Sequence, residues 1–221
     1  MITETKYNQT TISKKVSLDG VGLHTGKDVT LTFYPSDSNT GYVFKRIDLE
    51  GKPIVEADIN YVTSTERGTC LNKNNVIIQT CEHVLASLVG LQIDNVLIEL
   101  NASEPPIMDG SSKYFVEALE KAGIKQLNDK RKEFVVKKVI SFKDEGSGSE
   151  ITVIPSKEYQ VTTMVDFGTK VLGTQNASIS SINEFKKDPT PSNFLAFVND
   201  SPIPIKVAIE IIQKNFDANA K

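Results

Sequence analysis

The stretch KKVSLDGVGLHTGKDVTLTFYPSD, residues 14–37, has the order strand, glycine-bearing turn, strand and Pro-Ser turn. A second stretch, KKVISFKDEGSGSEITVIPSKE at residues 137–158, repeats that order of features. The offset between the two is about 120 residues, which is longer than any solenoid repeat unit. The spacing therefore favours a duplicated domain over an array of repeats, with chance similarity between two hairpins as the alternative.

The repeat divides the chain into two domains and a connection. The first domain is predicted to cover residues 1–124. The mostly charged and polar segment KQLNDKRKE, residues 125–133, is typical of a linker. The second domain, residues 134–221, is shorter than the repeat offset. We therefore expect the second copy to be incomplete.

Two helices are predicted to interrupt the strands of the first domain. One spans residues 81–91, with a buried stripe of three-and-four spacing and Thr80 as its cap. The other spans residues 111–122 and ends at Gly123. Strands covered on one face by a helix pair make a two-layer α/β sandwich. The predicted fold class is therefore α+β, with duplicated two-layer sandwich domains.

Alternating or β-branched apolar runs predict the strands. In the first domain these runs are VTLTFYP, GYVFKRI, NVIIQT and NVLIEL, and in the second they are EFVVKKVISF, EITVIPS and YQVTTMVDF. A proline-rich stretch then precedes an amphipathic segment, residues 205–216. We expect that segment to form a helix that closes the shortened second sheet.

Composition and charge exclude several classes of protein. A net charge of −3, with basic and acidic residues interspersed, gives no electrostatic basis for binding nucleic acid or anionic lipid. The first residues, MITETKYNQT, lack the apolar run of a signal peptide, and no segment is long enough to span a bilayer. We expect a cytoplasmic protein with no transmembrane segment, in which Cys70 and Cys81 are free thiols.

The helix predicted at residues 81–91 opens with a carboxylate and an imidazole in succession, Glu82 and His83. The helix dipole alone explains a glutamate in a first turn, so a purely structural interpretation of the pair stays open. The neighbouring residues fit neither the H-E-x-x-H nor the H-x-x-E-H zinc pattern. His83 shares with Ser87 and Gly90 a face of small residues, which permits close approach by another element.

Four motifs carry a resemblance to a known family. They are GVGLHTG at 20–26, TCEHVL at 80–85, QIDNVLIEL at 92–100 and PIMDGSS at 106–112. In this order the chain resembles the UDP-3-O-acyl-N-acetylglucosamine deacetylases, zinc enzymes of bacterial lipid A synthesis. The resemblance is specific over residues 8–124, weaker to about residue 185, and fades beyond. It implies hydrolysis of the acetamide of UDP-3-O-acyl-N-acetylglucosamine, a UDP-sugar that bears an acyl chain.

The resemblance also implies roles for single residues. It implies that His83 binds Zn²⁺ and that Glu82 is the general base for a water on that zinc. A catalytic zinc takes three protein ligands and a water, and a carboxylate beside a ligand is well placed to take the water's proton. Substrate contacts are implied for Thr69 and Cys70 in TSTERGTCL and for Phe194 in PSNFLAFV. In that last run Asn-Phe stands where the family has Arg-Thr, which alters the predicted lining.

The chain departs from the family pattern in its second domain. The family takes its other zinc ligands from an H-K-x-x-D helix, whereas this sequence has two histidines, His24 and His83. The Zn²⁺ ligand set is therefore incomplete, and we expect this polypeptide, as a C-terminally truncated or divergent member, to be inactive or severely impaired. His24 and Asp109 are expected to stabilise their own turns. A site rebuilt from Cys70 or Cys81 has no support in the sequence.

Two function classes stay open. The first is an enzyme of this family whose chemistry belongs to the complete protein. The alternative is a non-catalytic paralogue or fragment that keeps the fold and part of the nucleotide-sugar surface. We expect a monomer, with association through the shortened domain as the alternative, because an uncovered sheet exposes apolar area.

Overall fold

The computed structural model describes residues 2–65, 68–146, 148–166, 168, 170–171 and 173–185. Over these residues the chain has a sheet-rich α+β fold, which confirms the predicted class at that level. The helices are α1 (Glu82–Gly90) and α2 (Lys113–Ala122), with two 3-10 turns at Ile59–Tyr61 and Ile182–Glu184. The strands are β1 (Ile2–Ile12), β2 (Val16–Val21), β3 (Asp28–Pro35), β4 (Tyr42–Arg46), β5 (Ile54–Glu56), β6 (Val62–Ser64), β7 (Cys70–Lys73), β8 (Val76–Ile78), β9 (Val96–Leu100), β10 (Ile124–Phe134), β11 (Ile140–Lys143), β12 (Glu150–Val153), β13 (Val161–Asp166) and β14 (Thr174–Ile179).

The main sheet has five strands in the order β2-β3-β9-β4-β5. Strand β4 runs parallel to β9, and the other neighbours are antiparallel. Strand β3 shows why the sheet has a core face, since its alternating sequence buries Val29, Leu31 and Phe33. A smaller sheet, β6-β7-β8, comes between β5 and α1 in the chain. Its last strand, β8, precedes the helix that carries the Glu82–His83 pair.

Helix α2 follows the predicted apolar stripe. Phe115, Leu119 and Ala122 are buried, and Gly123 ends the helix with a φ of 73°, which a residue without a Cβ adopts readily. The helix packs against β2 and α1. No helix in the described part of the chain is long and apolar enough to cross a membrane.

The second half forms two antiparallel hairpins, β11–β12 and β13–β14. Both members of the predicted repeat are thus hairpins, β2–β3 and β11–β12. Between residues 134 and 185 the described residues contain no α-helix, so the duplicated sandwich stays a prediction. Ile179 and Phe185 join the same core as the first half. Phe194 and the helix predicted at residues 205–216 lie outside the described residues.

The predicted linker, residues 125–133, is a strand and not an irregular connection. It forms most of β10, which pairs antiparallel with β1 from Ile2 opposite Phe134 to Ile12 opposite Ile124. Strand β10 of this two-stranded ribbon is exposed or half-buried along its whole length, so its sequence lacks the polar-apolar alternation that marks a strand with one buried face. Arg131 attaches the ribbon to the rest of the fold through an ion pair with Asp94 of 2.8 Å.

Candidate functional site

The chain enters α1 through an unusual backbone conformation at Thr80. This residue has a φ of 49°, although a β-branched side chain strongly disfavours the left-handed region. Its hydroxyl donates to Glu104 Oε1 over 2.8 Å. The N-cap residue of the helix is Cys81, which makes no side-chain capping bond. The prediction that Thr80 caps the helix is therefore wrong, because its hydroxyl is used by a carboxylate from another loop.

Glu82 is a buried carboxylate with a fixed orientation. Its side chain lies in the first turn of α1, and the residue is 7% exposed. The backbone N–H of Thr69 donates to Glu82 Oε2 over 2.9 Å. Gly68 lies against the same carboxylate, since a Cβ there would come within 3.2 Å of Oε1. The loop before β7 thus holds Glu82 through its backbone.

His83 is also buried, with its Nε2 3.9 Å from Glu82 Oε1. Its Nδ1 has no hydrogen-bond partner within the described part of the chain, although the atom is inaccessible to solvent. Burial lowers the pKa of the imidazole, against a raising effect of Asp109. The ring is therefore expected to be neutral near pH 7, with a lone pair available. An imidazole of this kind can accept a proton or bind a metal ion.

The small-residue face of α1 is closely approached by another element, as the sequence predicted. Ser87 and Gly90 are buried, and a Cβ at Gly90 would overlap the ring of Phe185, coming within 2.6 Å of its Cγ. Beside this contact, Gln92 Nε2 donates to Asn183 Oδ1 over 3.4 Å. The face that carries His83 is thus the face against which Phe185 packs.

Of the predicted substrate contacts, Thr69 lies beside Glu82, as described above. Cys70 is half-buried at the start of β7, and Phe194 lies outside the described residues. Cys81 is fully buried, and its thiol donates to Thr69 O over 3.4 Å. Burial raises the pKa of the Cys81 thiol well above its usual range, so the thiolate that a metal requires is disfavoured.

Glu104 is a buried residue that the sequence analysis did not single out. It is fully inaccessible and accepts hydrogen bonds from the backbone N–H groups of His24 and Thr25 and from the Thr80 hydroxyl. Burial raises the pKa of this carboxyl, but these hydrogen bonds outweigh burial and leave the pKa below its ordinary value. Glu104 precedes two prolines and belongs to no periodic pattern of helix or strand, and its backbone donors cannot be identified from residue types. Its role could therefore not be predicted from the sequence.

The two residues that the sequence assigned to their own turns behave in different ways. Asp109 Oδ1 accepts from the backbone N–H and the hydroxyl of Ser111, at 2.9 and 2.8 Å, which confirms the predicted Asx-type turn. The imidazole of His24 is exposed, and its backbone N–H donates to Glu104. The backbone N–H groups of His24 and Thr25 thus attach the turn at residues 20–26 to Glu104.

The residues present fit one position of a metal site. His83 offers a buried, unsatisfied imidazole nitrogen of the kind that a metal ligand uses. Within the described ranges, no group of three or more His, Cys, Asp and Glu residues is arranged to hold a metal ion. A complete three-ligand centre therefore does not fit the described residues.

Comparison with known proteins gives consistent matches. The model of the family described as LpxC, UDP-3-O-acyl N-acetylglycosamine deacetylase, matches residues 9–201. The bifunctional enzyme LpxC/FabZ of Bacteroides thetaiotaomicron is 40% identical over 87% of this chain and 42% of its own length. The UDP-3-O-acyl-N-acetylglucosamine deacetylases of Geotalea uraniireducens and Idiomarina loihiensis are 38% and 35% identical over 86% and 87% of this chain. The chain spans 62% and 63% of the length of those two relatives.

Proposed function

Because the chain belongs to the UDP-3-O-acyl N-acetylglycosamine deacetylase family, we propose that it carries one half of an amide-hydrolysing site for the acetamide of UDP-3-O-acyl-N-acetylglucosamine, a step of lipid A biosynthesis. The observation that carries this proposal is the buried Glu82–His83 pair at the start of α1. Its carboxylate is held by a backbone N–H, and its imidazole has an unsatisfied nitrogen.

In this proposal Glu82 is the general base. Water attacks the acetamide carbonyl carbon and gives its proton to the Glu82 carboxylate, and the C–N bond then breaks as the departing nitrogen takes up a proton. Acetate and a free glucosamine amine are the products. The Thr69 N–H bond supports the assignment because it fixes one carboxylate oxygen and leaves the other oriented towards His83. Thr69, in the loop before β7, and Cys70, at the start of β7, are proposed to contact the substrate.

We propose His83 as the zinc ligand that the described part of this chain contributes. Its buried Nδ1 and lowered pKa support that role. The sequence holds one further histidine, His24, which is exposed in its turn. Since a catalytic zinc requires three protein ligands, the 221-residue chain is proposed not to hydrolyse the substrate by itself.

The histidine count also favours the second candidate function, a non-catalytic family member. Such a protein would keep the fold and bind part of the nucleotide sugar without turnover. Zinc content and acetate release distinguish the two candidates. The purified chain is expected to retain no zinc after mild chelation and to release no acetate from UDP-3-O-acyl-N-acetylglucosamine. About one zinc per chain with measurable acetate release would contradict the proposed inactivity.

A chimaera tests the roles of Glu82 and His83 directly. Residues 1–185 of this chain are joined to the part of the Geotalea uraniireducens deacetylase that follows the matching position, so that the rest of the protein comes from a relative named as a deacetylase. We expect acetate release from this protein and a loss of about 100-fold or more in kcat with Glu82→Gln. His83→Gln should remove activity and bound zinc together. An E82Q chimaera that keeps the parent's kcat would refute the assignment of the base.

A further inference from the structure

Glu104 connects two sequence motifs that are far apart in the chain. It lies between β9 and α2, and both of its carboxylate oxygens accept from His24 N at 3.1 Å. Its Oε2 also accepts from Thr25 N at 2.9 Å, and its Oε1 accepts from the Thr80 hydroxyl at 2.8 Å. One buried carboxylate thus holds the turn at residues 20–26 and the entry into α1 at the same time.

The glycine of the turn shows how tightly this carboxylate is enclosed. A Cβ at Gly22 would come within 2.6 Å of Glu104 Oε2. The turn is closed by its own backbone, because Gly26 N donates to Gly22 O over 2.9 Å. The turn and its backbone N–H donors, those of His24 and Thr25, therefore enclose the carboxylate closely and leave it little room to move.

Glu104 also stabilises a strained backbone conformation at Thr80. Thr80 has a φ of 49°, which a β-branched residue rarely adopts and keeps only when its surroundings demand it. Its hydroxyl bond to Glu104 supplies such a demand. Thr80 stands two residues before Glu82, and Cys81 N donates to Thr69 O over 3.4 Å. The direction in which α1 starts therefore depends on how Thr80 is held.

We propose that Glu104 is a positioning residue that, through Thr80, sets the orientation of the Glu82–His83 pair. The inference rests on the proposed function in taking that pair as the working part of the site. The coupling itself is a property of the folded chain and can be measured on the imidazole without zinc, substrate or turnover.

The experiment uses the imidazole spectrum of the whole chain. The sequence has two histidines, so a proton–nitrogen spectrum contains two imidazole systems, and His83→Gln assigns them. Spectra are recorded at one neutral pH and well below the melting temperature of each variant. Glu104→Gln keeps the shape of the side chain but turns an NH₂ group towards backbone donors. Thr80→Val keeps the shape and removes the hydroxyl, and Thr80→Ser keeps the hydroxyl.

We expect E104Q and T80V to displace the ring-nitrogen resonances of His83 by more than their linewidth and T80S to leave them in place. Glu99→Gln is the matched control, because Glu99 accepts from Lys45 on the main sheet, and its loss should not move them. If E104Q does not fold, T80V and T80S decide alone. Lower melting temperatures in E104Q or T80V with unmoved His83 resonances overturn the proposal, since that result describes a residue that only stabilises the fold. Failure of the proposed function would instead appear as an inactive chimaera or as an E82Q chimaera of unchanged kcat.

Discussion

The contact between Gly90 and Phe185 allows a quantitative prediction about the packing of Phe185 against α1. Ala is ordinarily preferred over Gly in a helix, and at the last residue of α1 the substitution Gly90→Ala should gain roughly 0.5 kcal/mol. In this protein the added methyl group would overlap the Phe185 ring. We therefore expect Gly90→Ala to lower the free energy of unfolding by about 1 to 3 kcal/mol, as overpacked cores do.

Removing the ring should reverse the sign of that effect. Phe185 is 3% exposed, so Phe185→Ala should itself cost about 3 to 5 kcal/mol. In that background the methyl group has space, and Gly90→Ala should be neutral or stabilising by roughly 0.5 kcal/mol. The double-mutant cycle is thus expected to give a coupling energy of about 2 kcal/mol or more.

The measurement is urea unfolding followed by circular dichroism and by tyrosine fluorescence, since the chain contains no tryptophan. Equal denaturant slopes across the cycle are required before the energies are compared. Val89→Ala serves as the control, because Val89 adjoins Gly90 but is 43% exposed, and its change should stay within about 0.5 kcal/mol. Effects of the two substitutions that add within about 0.5 kcal/mol would show that the ring does not rest on α1.

Two further predictions concern charged side chains. The pKa of Glu104 is lowered in the folded chain, so its contribution is complete above the ordinary value of 4.5 and is lost as pH falls through the lower folded value. Wild-type stability should therefore fall more steeply than that of E104Q below that pH in acid titrations of urea unfolding, and parallel curves would contradict this. Arg131→Met should cost about 1 to 2 kcal/mol by breaking the pair with Asp94, and it should speed amide exchange in β1 and β10. Unchanged exchange there would show that Arg131 does not contribute to the attachment of the ribbon.

Strands and helices with a buried face could be predicted from the sequence. The sequence of β3 alternates between polar and apolar residues, and α2 has apolar residues at three-and-four spacing. Each pattern arises because one face of the element packs against the core. Strand β10 lacks such a pattern because it has no buried residue. Strand β1 buries Gln9, Thr11 and Ile12 only at its C-terminal end, and its partner strand lies far away in the chain. Strand β14, mostly polar and exposed, was missed for the same reason.

The candidate site divides along similar lines. Glu82 and His83 could be predicted because their side chains are of the types that act as a base and as a metal ligand. Asp109 could be predicted because its Asx-type turn depends on residues next to it in the sequence. Glu104 could not, because it is held in part by two backbone N–H groups. The left-handed conformation of Thr80 could also not be predicted, because β-branched residues rarely adopt it.

The pairing of β1 with β10 has a consequence for the making of the protein. Thr3 lies opposite Glu133, 130 positions later. At a translation rate of about 5 to 20 residues per second, the first strand is synthesised roughly 7 to 26 s before its partner. During that interval the nascent chain presents an open strand edge of eleven residues, which is a template for wrong pairing with other chains. The ribbon is therefore where help from chaperones, or its absence, should decide the yield of folded protein.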